Sequence, residues 1–164
     1  VYGLSAFWAG VGFGAPAIGY ALGNFLSGRY SVRFGINWMI RTGSWVSFIG
    51  LLVATAISAA GLAGPVVFFA FCTFVGIGNG MIIPNASAGL LSVRPHLAGT
   101  ASGLGSAIMI GGGAAMSVLA GVALTWGGGS FPLLFLMSLT TGLSVVAILY
   151  VIARERQITA PETL

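Results

Sequence analysis

The chain is a series of apolar segments, each long enough to cross a bilayer, joined by short turns of which alternate ones are basic. The plan is clearest from Gly76 to Gly113, which reads as the end of one spanning helix, a turn at Arg94-Pro95-His96, and the start of the next. Both arms of this stretch are apolar yet rich in Gly, Ala, Ser and Asn, the side chains that let helices approach closely within a membrane. From Thr42 to Val93 there is no charge at all. At about 1.5 Å of rise per residue such a run, as one helix, far exceeds a hydrocarbon core roughly 30 Å thick. It must therefore reverse once, and the only good breaker is SAAGLAGP, Ser58 to Pro65. The same reasoning divides Leu97–Ala153 at WGGGSFP, Trp126 to Pro132. The pattern predicts an all-α polytopic membrane protein with spans at about 3–26, 38–60, 66–91, 97–125 and 131–153, then a polar tail over 154–164.

Two prolines interrupt these segments. Pro16 has no N–H and leaves the carbonyl of Gly12 without its helical partner, and Pro84 does the same to Gly80. Both are candidate kinks. Small residues at four-residue spacing lie on one helix face, and Gly10–Gly14 and Gly19–Gly23 in the first span predict close packing. Gly99–Gly103 and Gly113–Ser117–Gly121 form a similar nearly bare face in the fourth, for packing or gating, with another helix of the same chain as the expected partner.

Composition makes lipid the solvent for most of this surface: 57% of residues are hydrophobic, 5% are charged, and the mean hydropathy is +1.05. A net charge of +4 raises nucleic acid as a partner, but the arginines are scattered singly among apolar segments, which argues for membrane topology over a face that binds nucleic-acid phosphates. The basic groups fall at Arg29/Arg33/Arg41, Arg94/His96 and Arg154/Arg156, each separated from the next by two crossings. Five spans put all three groups on one side, and the opposite turns carry no Lys or Arg. The positive-inside rule makes Arg29, Arg33 and Arg94 cytoplasmic, with the C-terminal tail, and leaves Val1 outside. Ser31 to Asn37 supply the turn beside the first cluster, where Tyr30 and Trp38 sit as interfacial aromatics.

Little chemistry is available at membrane depth. The two acidic residues, Glu155 and Glu162, both lie in the tail, so this chain alone has no intramembrane proton relay. It has no H-E-x-x-H pair, P-loop or Ser/His/Asp set, so neither an enzyme nor a metal or cofactor site is expected. Cys72, in an apolar run, reads as a packing residue. The polar groups at depth are Asn79 and Asn85, around the break at Pro84. They either hydrogen-bond a substrate or bond neighbouring helices and the carbonyl that Pro84 frees. Phe71 and Met81 complete the candidate substrate-facing set.

Two elements carry a resemblance. Pro95-His96-Leu97-Ala98-Gly99-Thr100-Ala101-Ser102 reads as a P-x-x-A-G-T-A-S element, and Gly23-Asn24 through Gly28-Arg29 and Arg33-Gly35 precede it. Together they resemble the C-terminal half of a major facilitator superfamily transporter of the Bcr/CflA drug-resistance branch. The resemblance covers nearly the whole chain and implies that the five spans are helices eight to twelve. It further implies a proton-coupled antiporter of the bacterial inner membrane, exporting drugs such as chloramphenicol or bicyclomycin, with two halves rocking about a central cavity. The N-terminal half, helix seven and the proton-coupling acidic residues of that plan are absent from these 164 residues, which begin with Val1 and read as a fragment. The implied partners are the lipid bilayer, the missing half, a small-molecule drug and protons. Export of a sugar or metabolite is an alternative within the superfamily, and a non-transporting membrane packing protein is one outside it.

Overall fold

The computed structural model describes residues 5–62, 64–92, 95–125 and 130–159. Among them are five long helices and no strand: α1 (Ala6–Phe34), α2 (Ile36–Ala59), α3 (Pro65–Ser92), α4 (Ala98–Thr125) and α5 (Phe131–Thr159), with a 3-10 turn over Pro95–Leu97 leading into α4. The chain is therefore an all-α helical protein. Four of the helices, α2 to α5, are long and apolar enough to cross a membrane. Helix α1 is long enough but falls short in apolarity, diluted by its glycines.

The turns end the helices by specific means. Helix α2 stops at Gly61, whose φ of 74° suits a residue without Cβ. The N–H of Gly61 bonds the Ser58 carbonyl at 3.0 Å and that of Leu62 bonds the Ile57 carbonyl at 3.2 Å, closing the helix in a Schellman motif. This is the break expected at SAAGLAGP. The first turn is much tighter than the expected Ser31–Asn37. Helix α1 runs to Phe34 and α2 begins at Ile36, so Gly35 alone, at φ 85°, reverses the chain. Arginines signal where a segment leaves the hydrocarbon, but the helical hydrogen bonds continue past that level into the interface. For the same reason α5 continues through Arg154 and Arg156 to Thr159.

Helix α3 is the hub, packed against α1 on one side and α2 on the other, and α5 covers the far side of α2. The α1–α3 seam is backbone on backbone. A Cβ at Gly19 or Gly23 would overlap the carbonyl oxygens of Thr73 or Ile77, and one at Gly76 or Gly80 would overlap those of Pro16 or Tyr20. The four-residue spacing of Gly19–Gly23 is thus a packing face, whereas Gly10 and Gly14 meet nothing. The α2–α3 seam repeats the device: a Cβ on Gly43 would lie 2.8 Å from the Gly78 carbonyl oxygen, and one on Gly50 would lie 2.6 Å from the Phe74 Cβ. With no hydrophobic drive between helices in lipid, such close van der Waals approach holds them together.

The α2–α5 seam is polar. Ser44 meets Ser144 at 3.1 Å, Thr55 meets Ser138 at 2.8 Å, and Ser58 meets Ser130 at 3.3 Å. These pairs run the length of two antiparallel helices around a core of Leu51, Ala54 and Leu134.

Replacing Gly80 with Val should cost about 3 kcal/mol or more, because the added groups meet backbone that cannot yield. Reversible unfolding in detergent checks this. In the same assay the Thr55→Val/Ser138→Ala cycle should return a coupling of about 0.6 kcal/mol, the usual size for a hydroxyl pair between membrane helices.

Candidate functional site

The residues expected to face a substrate are divided among different surfaces of α3. Asn85 is 4% exposed and clasps α1: its Nδ2 donates to Ser27 Oγ and to the Met81 carbonyl, both at 2.7 Å. Of the two readings open for this side chain, the geometry realises the helix-bonding one. The carbonyl it caps is that of Met81, one residue beyond the Gly80 carbonyl that Pro84 frees. Met81 is buried where α3 meets Gly43 of α2, its Cβ 3.0 Å from the position a Gly43 Cβ would take. Phe71 packs on the Leu51/Ala54/Leu134 core and stacks with Phe74, ring centroids 5.9 Å apart. Only Asn79 is exposed, and its side chain makes no hydrogen bond among the described residues.

The reason lies in the rotation of α3. Gly76 and Gly80 point to α1, Gly78 and Met81 to α2, and Asn79 lies between those two edges on the side away from both. At helical spacing its stripe continues through Ile83, Ala86 and Leu90. These three line a groove of about 430 Å³ between α3 and α4, whose other wall is Ser102, Ser106 and Met109. None of Phe71, Met81, Asn79 and Asn85 lines this groove. Its hydroxyls, Ser87, Ser102 and Ser106, gave no signal in the sequence, because serine is also an ordinary packing residue in membrane helices.

Pro16 and Pro84 both lie inside helices that continue through them. The carbonyl of Pro16 is the atom that Gly76 approaches, so this proline sits on the glycine seam.

Helix α4 departs from expectation. It has no buried residue, and a Cβ on Gly99, Gly103, Gly113 or Gly121 would meet nothing within 4 Å. The expected intramolecular partner for this glycine face is not present among the described residues. The one glycine of α4 in close contact is Gly105, where a Cβ would lie 2.6 Å from Leu90 Cδ2. Small-residue spacing specifies a face that permits close approach, but it does not specify a partner.

The Arg33 end of α1, the start of α2, the Ser92 end of α3 and the late turns of α5 gather together. Asn37 Nδ2, in the first turn of α2, donates to Glu155 Oε2 near the end of α5. Ser31, Asn37, Ser92 and Glu155 line one open cleft there of about 860 Å³. Arg29 and Arg33 belong to the last two turns of α1 and not to a loop, since the reversal is confined to Gly35. Arg94 lies outside the described residues. His96 is exposed in the 3-10 turn, and no group of three His, Cys, Asp or Glu that could hold a metal occurs among the described residues.

No family model matches the chain, and neither a curated protein nor a solved structure is found to match it.

Replacing Asn85 with Leu should destabilise the fold by about 1–3 kcal/mol, since Ser27 loses its buried partner. Gly99→Ala should stay within about 0.5 kcal/mol of the parent, as an exposed site away from any packing feature. Unfolding in detergent measures both.

Proposed function

We propose that the chain is the membrane-embedded C-terminal half of a proton-coupled exporter of small-molecule drugs, seated in a bacterial inner membrane with its C-terminus in the cytoplasm and working with an N-terminal half. The observation that carries this reading is the unequal use of helix surfaces. Glycine and hydroxyl seams bind α1, α2, α3 and α5 into one unit, while α4 buries none of its residues and Asn79 of α3 stays exposed. In a transporter built from two helical halves, surfaces of this kind would meet the central cavity and the other half. The resemblance of the Pro95–Ser102 element and of the Gly23–Gly35 segment to the drug-resistance branch of the major facilitator superfamily supports the same reading.

The chemistry of the uncovered surface suits an uncharged or weakly polar drug. The α3–α4 groove is apolar with a few serine hydroxyls, and its 430 Å³ falls within the range of pockets that take drug-sized ligands. Asn79 adds an amide donor and acceptor on the adjoining turn. Glu155 is engaged with Asn37 at the basic end of the bundle, so the carboxylate that couples protons would come from the other half. Packing through the bare face of α4, without transport, is the competing reading.

Efflux of a fluorescent drug from cells expressing the chain, with and without its natural upstream coding sequence, tests the proposal. Uncoupler-sensitive efflux should appear only with the longer form. Its absence from both forms would overturn transport in favour of a packing role, and its presence with 164 residues alone would overturn the half-transporter reading. In an active form, Asn79→Leu should shift the drug profile without lowering expression, as measured by efflux across a compound panel. An unchanged profile would remove Asn79 from the cavity.

A further inference from the structure

The last two turns of α1 carry Arg29 and Arg33, four residues apart and therefore on one face. That face lies about 120° round the helix from the edge seated on α3, since the buried positions of α1 are Gly19, Gly23 and Ser27 while both arginines are exposed. At helical spacing the outward face continues back through Phe25, Leu22 and Ile18, which are 64%, 51% and 64% exposed. The result is a lengthwise apolar stripe that ends in two guanidinium groups.

Neither arginine forms an ion pair within the described residues. The Arg29 guanidinium lies 6.0 Å from the Tyr30 ring centroid, and that of Arg33 lies 5.3 Å from Phe34. Phe34 in turn stacks on Trp38 across the Gly35 turn, with centroids 4.7 Å apart and planes at 28°. Aromatic rings at this level mark the membrane–water interface. Beneath it the surface offers hydrocarbon contact, and at it the surface offers two planar donor forks that match the oxygens of a phosphate.

We propose that this face binds an anionic phospholipid of the leaflet at the basic end, its phosphate between Arg29 and Arg33 and an acyl chain along Phe25, Leu22 and Ile18. Charge complementarity selects the headgroup and the apolar stripe selects a lipid over a free anion. The site rests on the placement of the chain in a bilayer and is independent of transport.

The test is a titration of the purified, delipidated full chain in detergent with phosphatidylglycerol and with phosphatidylcholine, read by native mass spectrometry. The parent should prefer phosphatidylglycerol. Arg29→Gln/Arg33→Gln should reduce that preference about 25-fold, from about 5-fold for each basic residue near a charged surface. Arg154→Gln/Arg156→Gln removes the same charge from the same end and should change the preference by no more than about 2-fold if the site is local. Equal losses in the two pairs, or no loss in the first, would overturn the site. Displacement of phosphatidylglycerol by millimolar inorganic phosphate would also overturn it, in favour of a plain anion site. Should the glutamine pair fail to fold, Arg29→Lys/Arg33→Lys decides. A several-fold loss supports the paired forks, and unchanged affinity overturns them.

Discussion

Backbone contact between α1 and α3 is the constraint on which the arrangement depends. Gly19 and Gly23 on one helix and Gly76 and Gly80 on the other bring main chains so near that even one methyl group would collide with a carbonyl. This fixes the rotation of α3, and that rotation sends Gly78 and Met81 to α2 and leaves Asn79 uncovered. Helix α2, positioned by α3, then receives α5 through paired hydroxyls. Two kinds of adhesive thus serve one bundle: close dispersion contact dominates at the hub, where Asn85 adds a hydrogen bond to Ser27, and paired hydroxyls join α5 at the periphery. Both suit lipid, where burying apolar side chains against one another gains little.

Much of this arrangement is legible in the sequence. A charge-free run too long for one crossing must reverse, and Gly61 supplies the conformation that reversal needs. Gly19–Gly23 is visible as a packing face from spacing alone. What spacing cannot supply is the partner. Gly76, Gly78 and Gly80 look like one glycine-rich patch, yet alternate members serve two different seams, because two residues along a helix turn the side-chain direction by about 200°. The hydroxyl pairs join residues far apart in the chain and leave no local signal. The glycine face of α4 shows the limit from the other side: it carries the same pattern as α1 and meets nothing.

The candidate site was legible in the same partial way. Asn79 and Asn85 stand out as amides at depth, but only the register of α3 tells them apart. Six residues of helix rotate Asn85 about 120° from Asn79, off the uncovered side and onto the buried stripe of Gly78 and Met81, where Ser27 of α1 and the Met81 carbonyl satisfy it. A polar residue near a helix-interior proline therefore has two fates. Which fate applies depends on whether a neighbour presents a hydroxyl at the right height, and that information lies in another helix.

The single-residue joint at Gly35 bears on how the bundle is built. Helix α1 is the one whose own side chains give a bilayer least reason to retain it, and two of the glycines that dilute its apolarity, Gly19 and Gly23, are ones that grip α3. Yet α3 follows α1 in the chain by a full crossing and leaves the ribosome later. With one residue between them, α1 and α2 are joined without slack as a helical hairpin, so the more apolar α2 lies beside α1 before α3 is made. The glycine seam therefore closes only once α3 has followed α1 and α2, on a helix already tied to its neighbour.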